Sequence, residues 1–289
     1  MRLGGMETGG TKMVLGLGNE KGELLVRHAI ETRMPEDTIP EIIEWFKDKN
    51  IDALGIGSFG PLDIAKGMIA KTPKQGWDNT ELVRPFKEAL NVPVGFDTDV
   101  NAAMLGEAMF GAASDVENAI YITIGTGIGF GVYVDGKLLH GVLHPEAGHM
   151  LLTRVEGDNY EGSCRFHDHC FEGLASGPAI YGRWKAKGED LYDRDEVWEL
   201  ESEYIAQALC NAIMCYSPER IIIGGGVMHN QNLYGMIREK TKRMLNGYIG
   251  VEQIESHIDD YIVAPKLGDN AGVLGSMMLG YRELKKETV

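Results

Sequence analysis

The sequence predicts an α/β protein of two related βββαβα domains flanking a cleft, with a metal-binding loop set into the second. Three observations lead there. Residues 119–136 read as strand, glycine turn, strand; residues 3–17 repeat that plan; and after each copy, helix-period segments alternate with short apolar strands. At 289 residues the chain has room for two domains, each able to bury its own core. We place them at 1–117 and 118–289, with the C-terminal helix, about 271–287, a candidate to complete the first.

The first hairpin turns at Thr8-Gly9-Gly10-Thr11. Thr38 is expected to cap the helix that follows, with Pro40 near its first turn and Ile39, Ile42, Ile43 and Phe46 on one apolar face. Residues 51–58 read as a buried strand leaving through Ser58-Phe59-Gly60-Pro61-Leu62-Asp63, the kind of strand exit where α/β sheets bind ligands. After a loop over 65–79 and a helix over about 80–90, strand 92–96 delivers Asp97-Thr98-Asp99-Val100-Asn101 to a helix at 102–110. A carboxylate there can cap free N–H groups. Capping accounts readily for one of Asp97 and Asp99 and less well for the pair. A short link at 111–117 closes the first domain.

In the second domain Gly125-Thr126-Gly127-Ile128-Gly129 makes a turn almost without Cβ atoms, so backbone N–H groups can approach an anion. Alone, these residues also suit an ordinary tight hairpin. Two copies in separate halves suggest two phosphate-contacting turns facing a shared cleft. Helices are expected at 176–187, at 195–216 with Pro218 as its stop, at 234–245 and after Leu267-Gly268-Asp269-Asn270-Ala271-Gly272. Strands are expected at 220–223 and 261–264. The bare exit Gly224-Gly225-Gly226-Val227 suits a purine lying flat on backbone.

A formal charge of −15 argues against nucleic acid or an anionic membrane as partner, because both need a positive field. It does not exclude ATP, which backbone amides and Mg²⁺ can hold. The 38 glycines cluster at strand ends, as turns do. No signal segment precedes the first strand, and no window approaches about 18 uninterrupted apolar residues. Cys210 and Cys215 sit in a helical pattern as small, partly buried side chains. A reduced, cytoplasmic enzyme fits this cysteine usage.

The sharpest local signal is Cys164-Arg165-Phe166-His167-Asp168-His169-Cys170, with His149 fourteen intervening residues upstream. Cys164, His167, Cys170 and His149 match a tetrahedral Zn²⁺ site in the loop 149–170, and four protein ligands make such a metal structural. His169 could replace His167, and a polar loop without metal is the plain alternative. A Cys164–Cys170 disulfide suits a reducing compartment poorly.

Five segments together resemble the ROK family of sugar kinases, and its bacterial fructokinase branch in particular. They are Glu7-Thr8-Gly9-Gly10-Thr11-Lys12, Asp97-Thr98-Asp99-Val100-Asn101-Ala102-Ala103, His144-Pro145-Glu146-Ala147-Gly148-His149, Cys170-Phe171-Glu172-Gly173 and Ala175-Ser176-Gly177-Pro178-Ala179-Ile180. The resemblance runs through essentially the whole chain. It implies an actin/hexokinase-like fold with two RNase H-like domains, a homodimer, and ATP-dependent phosphorylation of a hexose 6-hydroxyl. Fructose leads, ahead of glucose, mannose and N-acetylmannosamine.

Carried residue by residue, the resemblance makes Asp99 the base. Gly60, Asn101, Glu146, His149 and Glu172 surround the sugar, with His149 also serving the metal. Gly9, Gly10, Thr11 and Lys12 with Gly125, Thr126 and Gly127 cradle phosphates, while Gly225, Gly226 and Asn270 approach the adenosine. Glu7 stands where many relatives have Asp, which lengthens its reach toward Mg²⁺. Thr98 replaces the Asn of glucose-specific members, and His167 stands where many relatives have a third Cys. A sugar-sensing regulator is the reading from another class. It would need a DNA-binding head, and here the first hairpin begins almost at Met1. A zinc hydrolase would need an open coordination position.

Overall fold

Two mixed five-stranded sheets with one strand order between them organise the chain. The structure, a computed structural model, describes residues 1–72 and 74–287. Pro73, in the loop expected over 65–79, and the last two positions of the range 118–289 lie outside the described residues. The first sheet is built from β1 (Leu3–Thr8), β2 (Lys12–Gly18), β3 (Leu24–Glu31), β4 (Ala53–Ser58) and, after a small hairpin of β5 (Leu62–Asp63) and β6 (Met68–Ile69), β7 (Val94–Thr98). Its order is β3-β2-β1-β4-β7, antiparallel across the first three strands and parallel from β1 through β4 to β7. Helix α1 (Pro35–Lys47) precedes β4, α2 (Val83–Leu90) precedes β7, and α3 (Asp99–Phe110) follows it.

The second sheet repeats the plan with β8 (Ala119–Ile124), β9 (Ile128–Val134), β10 (Lys137–Leu138), β11 (Arg220–Gly224) and β12 (Ile262–Val263), in the order β10-β9-β8-β11-β12. Its helices are α4 (Phe171–Ala175), α5 (Gly177–Trp184), α6 (Asp195–Tyr216), α7 (Asn232–Leu245) and the single turns α8 (Glu252–Glu255) and α9 (Ile258–Tyr261). The last helix, α10 (Ala271–Glu287), returns to pack on β1, β4 and β7. The βββαβα unit is thus extended in both halves by a fifth strand, β7 and β12.

Local chemistry moved several expected boundaries. Helix α1 starts at Pro35, not at Thr38: extended Met34 leads into a proline whose fixed φ suits the first helical position. Thr38 is buried inside the helix, and its Oγ1 accepts the Arg33 N–H at 3.1 Å. Strand β7 runs on through Thr98, and α3 starts at Asp99 because the Thr98 side chain caps it, accepting the Asn101 N–H at 3.0 Å. Neither aspartate is the cap. Strand β12 is two residues long, since Tyr261 ends a helical turn.

Each half has its own apolar cluster. Met6, Leu15, Ile56 and Trp77 belong to one; Ile122, Phe130, Tyr204 and Ile223 belong to the other. Between the sheets lie α3 and α10, and α3 packs on β8 and β9 through Val100 and Met104. The α10 contact is unusually close. A Cβ on Gly55 would fall 1.6 Å from the Ser276 carbonyl oxygen, and one on Gly275 would fall 1.6 Å from that of Ala102. Backbone therefore meets backbone, which only glycine allows.

Glu107, fully buried on α3, gathers both chain crossings between the halves. Its Oε2 accepts the N–H groups of Ala112 at 2.6 Å and Lys266 at 3.2 Å, and its Oε1 accepts that of Leu267 at 2.8 Å. Glu107→Ala would remove the acceptor of three partly buried donors, so we expect a loss of about 3 kcal/mol in stability, read as a lower urea midpoint. An unchanged midpoint would show that the crossings hold without it.

Candidate active site

Asp99 stands where two cavities meet. One, of about 520 Å³, is walled by Glu7, Lys12, Gly225, Gly226 and Asp269; the other, of about 790 Å³, by Gly10, Gly60, Gly125, Glu146 and Glu172; Asp99 lines both. The side chain is held at the first turn of α3, where its Oδ1 accepts the Val100 N–H at 2.8 Å. Burial pushes its carboxyl up to about 6. Glu7, on β1, is pushed to about 7 by burial and then by the Asp99 charge, with Arg27 and Lys12 pulling the other way.

Asp97 has a different fate two residues earlier. It is buried, accepts from the Thr98 N–H at 2.8 Å and Asn101 Nδ2 at 2.7 Å, and pairs with His140 Nε2 at 2.9 Å from the other half. The hydrogen bond from His140 to Asp97 raises the histidine's pKa. One aspartate is therefore tied into structure, and the other faces open space.

The two glycine turns face the same cavity: Gly10 contributes from the first, and Gly125, Thr126 and Gly127 from the second. Gly9 and Thr11 line neither cavity, and Lys12 reaches the neighbouring one. Thr8 Oγ1 donates to Ser58 Oγ at 2.9 Å, which ties the first turn to the exit of β4. The second turn is held by Glu172, whose Oε2 accepts the Ile128 N–H at 2.9 Å. Gly225 adopts φ +94° and lies so close to Ile124 that a Cβ would sit 2.5 Å from its carbonyl oxygen. Asn270 is not part of the wall, although its neighbours Asp269 and Ala271 are. Asn101 is fully buried behind Asp97 rather than bordering the cavity.

Glu146 opens onto the same space, and its carboxyl is pushed up to about 7 by burial, then by Glu172 and Asp99. His149 stands between cavity and metal-like cluster. Its Nε2 lies 4.0 Å from Glu172 Oε1, while its Nδ1 lies 3.7 Å from Cys164 Sγ and 3.6 Å from Cys170 Sγ. His167 Nδ1 is 3.8 Å from Cys164 Sγ, and the donor atoms of all four residues lie within 4.8 Å of one another. A tetrahedral zinc with ordinary Zn–S and Zn–N bonds separates its sulfur and nitrogen ligands by about 3.6 Å, so this donor set fits the ion. His169 lies outside the group. The loop is braced from behind by Arg183, which donates to Asp158 at 3.1 and 3.0 Å, and by Tyr204, whose hydroxyl donates to Asp158 at 2.6 Å.

Sequence reasoning passed over His140 and His144, and also Lys71 and Arg165, two cations that line the second cavity. His144 lay within a quoted segment, but its burial and its partner eighty-two positions away leave no mark in local pattern.

A sequence model described as the ROK family matches residues 3–283. The chain is 43% identical over 290 residues to a fructokinase of Pediococcus pentosaceus, covering 99% of this chain and 99% of that one. It is 39% identical to a fructokinase of Lactococcus lactis subsp. cremoris, with 98% of each covered. Among solved structures, the ROK hexokinase of Thermus thermophilus matches with a TM-score of 0.83 at 26% identity, covering 99% of this chain and 100% of that chain.

Proposed function

The chain belongs to the ROK family, and from that membership we propose that it transfers the γ-phosphoryl group of ATP to the 6-hydroxyl of D-fructose. The observation that carries the reading is Asp99, open to both cavities, with a glycine turn from each half beside it. Full-length identity to fructokinases favours fructose over glucose or N-acetylmannosamine.

In this reading Asp99 accepts the 6-hydroxyl proton as that oxygen attacks the γ-phosphorus, and ADP leaves with the electrons of the broken P–O bond. Phosphoryl transfer asks mainly for in-line placement and charge neutralisation. Glu146, His149, Glu172 and Gly60 orient the hexose. Gly9, Gly10, Thr11, Lys12, Gly125, Thr126 and Gly127 hold the phosphates, the wall residues directly and the others by shaping the turns. Gly225 and Gly226 offer a flat backbone surface to the adenosine, with Asn270 beside them. The substrate is ATP with its Mg²⁺. Glu7 and Asp99, two carboxyls that burial raises, with the Asp99 charge raising Glu7 further, are the groups such a cation would neutralise.

The domains we assign are 1–117 with α10, and the remainder from 118. The two halves close over both substrates and exclude water that would otherwise accept the phosphoryl group. A cytoplasmic homodimer completes the reading; the four cysteines are free thiols, and among the described residues no helix is long and apolar enough to cross a membrane.

Zinc, held by His149, Cys164, His167 and Cys170, would stiffen the loop that carries His149. Elemental analysis is expected to find one zinc per chain. Chelation should lower the melting temperature and raise the KM for sugar several-fold; a zinc-free chain with unaltered sugar KM would refute a supporting role. The assignment as a whole is tested by a coupled ADP-release assay across fructose, glucose, mannose and N-acetylmannosamine. Fructose should give the highest kcat/KM, and ADP release that no hexose stimulates would overturn the proposal.

A further inference from the structure

His144 bridges the two halves at the edge of the sugar cavity. It is 6% exposed and lies over Gly60, where a Cβ would come within 3.2 Å of its Cε1. The Leu62 N–H, from the first half, donates to its Nε2 at 3.2 Å, so that nitrogen carries no proton. Burial lowers the pKa of His144, and a neutral ring must then be protonated on Nδ1. That Nδ1 faces Glu146 Oε1 at 3.4 Å. That polar contact links the ring to the Glu146 carboxylate. On the other side, Gly60 is fixed by Thr72, whose Oγ1 donates to its carbonyl at 3.0 Å.

We propose that His144 is a positioning residue for the sugar: it aims the Glu146 carboxylate into the cavity and anchors that aim to residues 60–62 of the opposite half. This rests on the reading of Glu146 as a sugar ligand. A carboxylate on a loop samples many rotamers, and holding one of them before the ligand arrives lowers the cost of binding. Because the ring's other nitrogen is bonded across the cleft, the hexose meets a correctly aimed Glu146 when the halves are together. His144 therefore acts on sugar affinity and on the discrimination between hexoses whose hydroxyls Glu146 touches, not on the proton transfer at Asp99.

His144→Phe keeps a ring of similar shape and removes both nitrogens. We expect the KM for fructose to rise about tenfold, the size of one lost polar contact that orients a ligand group, with the KM for ATP unchanged and kcat within about threefold. His144→Gln, whose amide carries an acceptor and a donor at nearly the spacing of the two ring nitrogens, should recover most of the loss. In a double-mutant cycle, adding His144→Phe to Glu146→Gln should cost little further, because the histidine acts through that carboxylate. Should the phenylalanine variant not fold, His144→Asn, too short to span both partners, carries the same expectation. Unchanged fructose KM, effects that add fully with those of Glu146→Gln, or equal rises in both substrates' KM would overturn the proposal. If the wild-type chain phosphorylates no hexose, the kinase reading fails instead, so the two failures are told apart.

Discussion

Asp99→Asn is expected to lower kcat by about 10²–10⁴-fold while leaving the KM for fructose within a few-fold. The amide fills the same space and can still accept the Val100 N–H, so the first turn of α3 keeps its shape. What it cannot do is take a proton. The pH profile should carry the same signature. The base must be ionised, and burial has moved its carboxyl to about 6, so turnover should fall as pH drops through about 6 and hold above it.

Stability should move in the opposite sense. A carboxyl whose pKa is raised on folding binds its proton more tightly in the native state. Its contribution becomes unfavourable as pH rises from the unfolded value of 3.8 to about 6, and stays so at neutral pH. The asparagine variant escapes that cost and should melt at a higher temperature than the wild type at pH 7.5, a trade of activity for stability. Near-normal turnover in Asp99→Asn, or a flat profile between pH 5 and 7, would remove Asp99 from the role.

Gly55→Val should be the most damaging single change to the fold. The new side chain would begin 1.6 Å from the Ser276 carbonyl oxygen and 2.6 Å from the Gly280 nitrogen. Backbone on both sides leaves nothing flexible to give way, so α10 must lift from the first sheet. Ser276, Met277 and Met278, all fully buried there, would then lose their cover. We expect more than about 4 kcal/mol of destabilisation, enough to leave the chain insoluble or without a cooperative melt. Gly235→Ala is the control: a Cβ there meets nothing within 4 Å, and the site is inside α7, where alanine is the better helix former. A folded Gly55→Val protein with a wild-type melting curve would mean that the sheet and helix can part at little cost.

Much of the architecture was legible because its signals are local. The glycine turns announce themselves by composition, and α6 spans the expected Asp195–Tyr216 because its apolar periodicity is long and Pro218 ends it. Cys164, His167 and Cys170 come together with His149 because three of them share one loop. Starts of helices were harder. At α1 two prolines compete for the first turn, and at α3 a threonine between two aspartates takes the cap.

The site was legible in outline and not in orientation. Asp97 and Asp99 are alike in sequence, but one meets His140 from the other half and the other meets the cleft. Asn101 turns inward and Asn270 stays off the wall, since a residue's place near a motif does not fix where its side chain points. His144 was invisible for the same reason: its partner, Leu62, belongs to another half of the molecule.

Because α10 covers a sheet made from the opposite end of the chain, maturation cannot follow the order of synthesis. Strands β1 to β7 leave the ribosome first, yet Gly5, Gly55 and Gly95 wait bare until residues beyond 271 emerge. The β8–β12 layer has its own helices ready sooner. The earliest-made half is thus the last to be finished, and in the interval its unclothed face is what a chaperone, or a neighbouring nascent chain, would find.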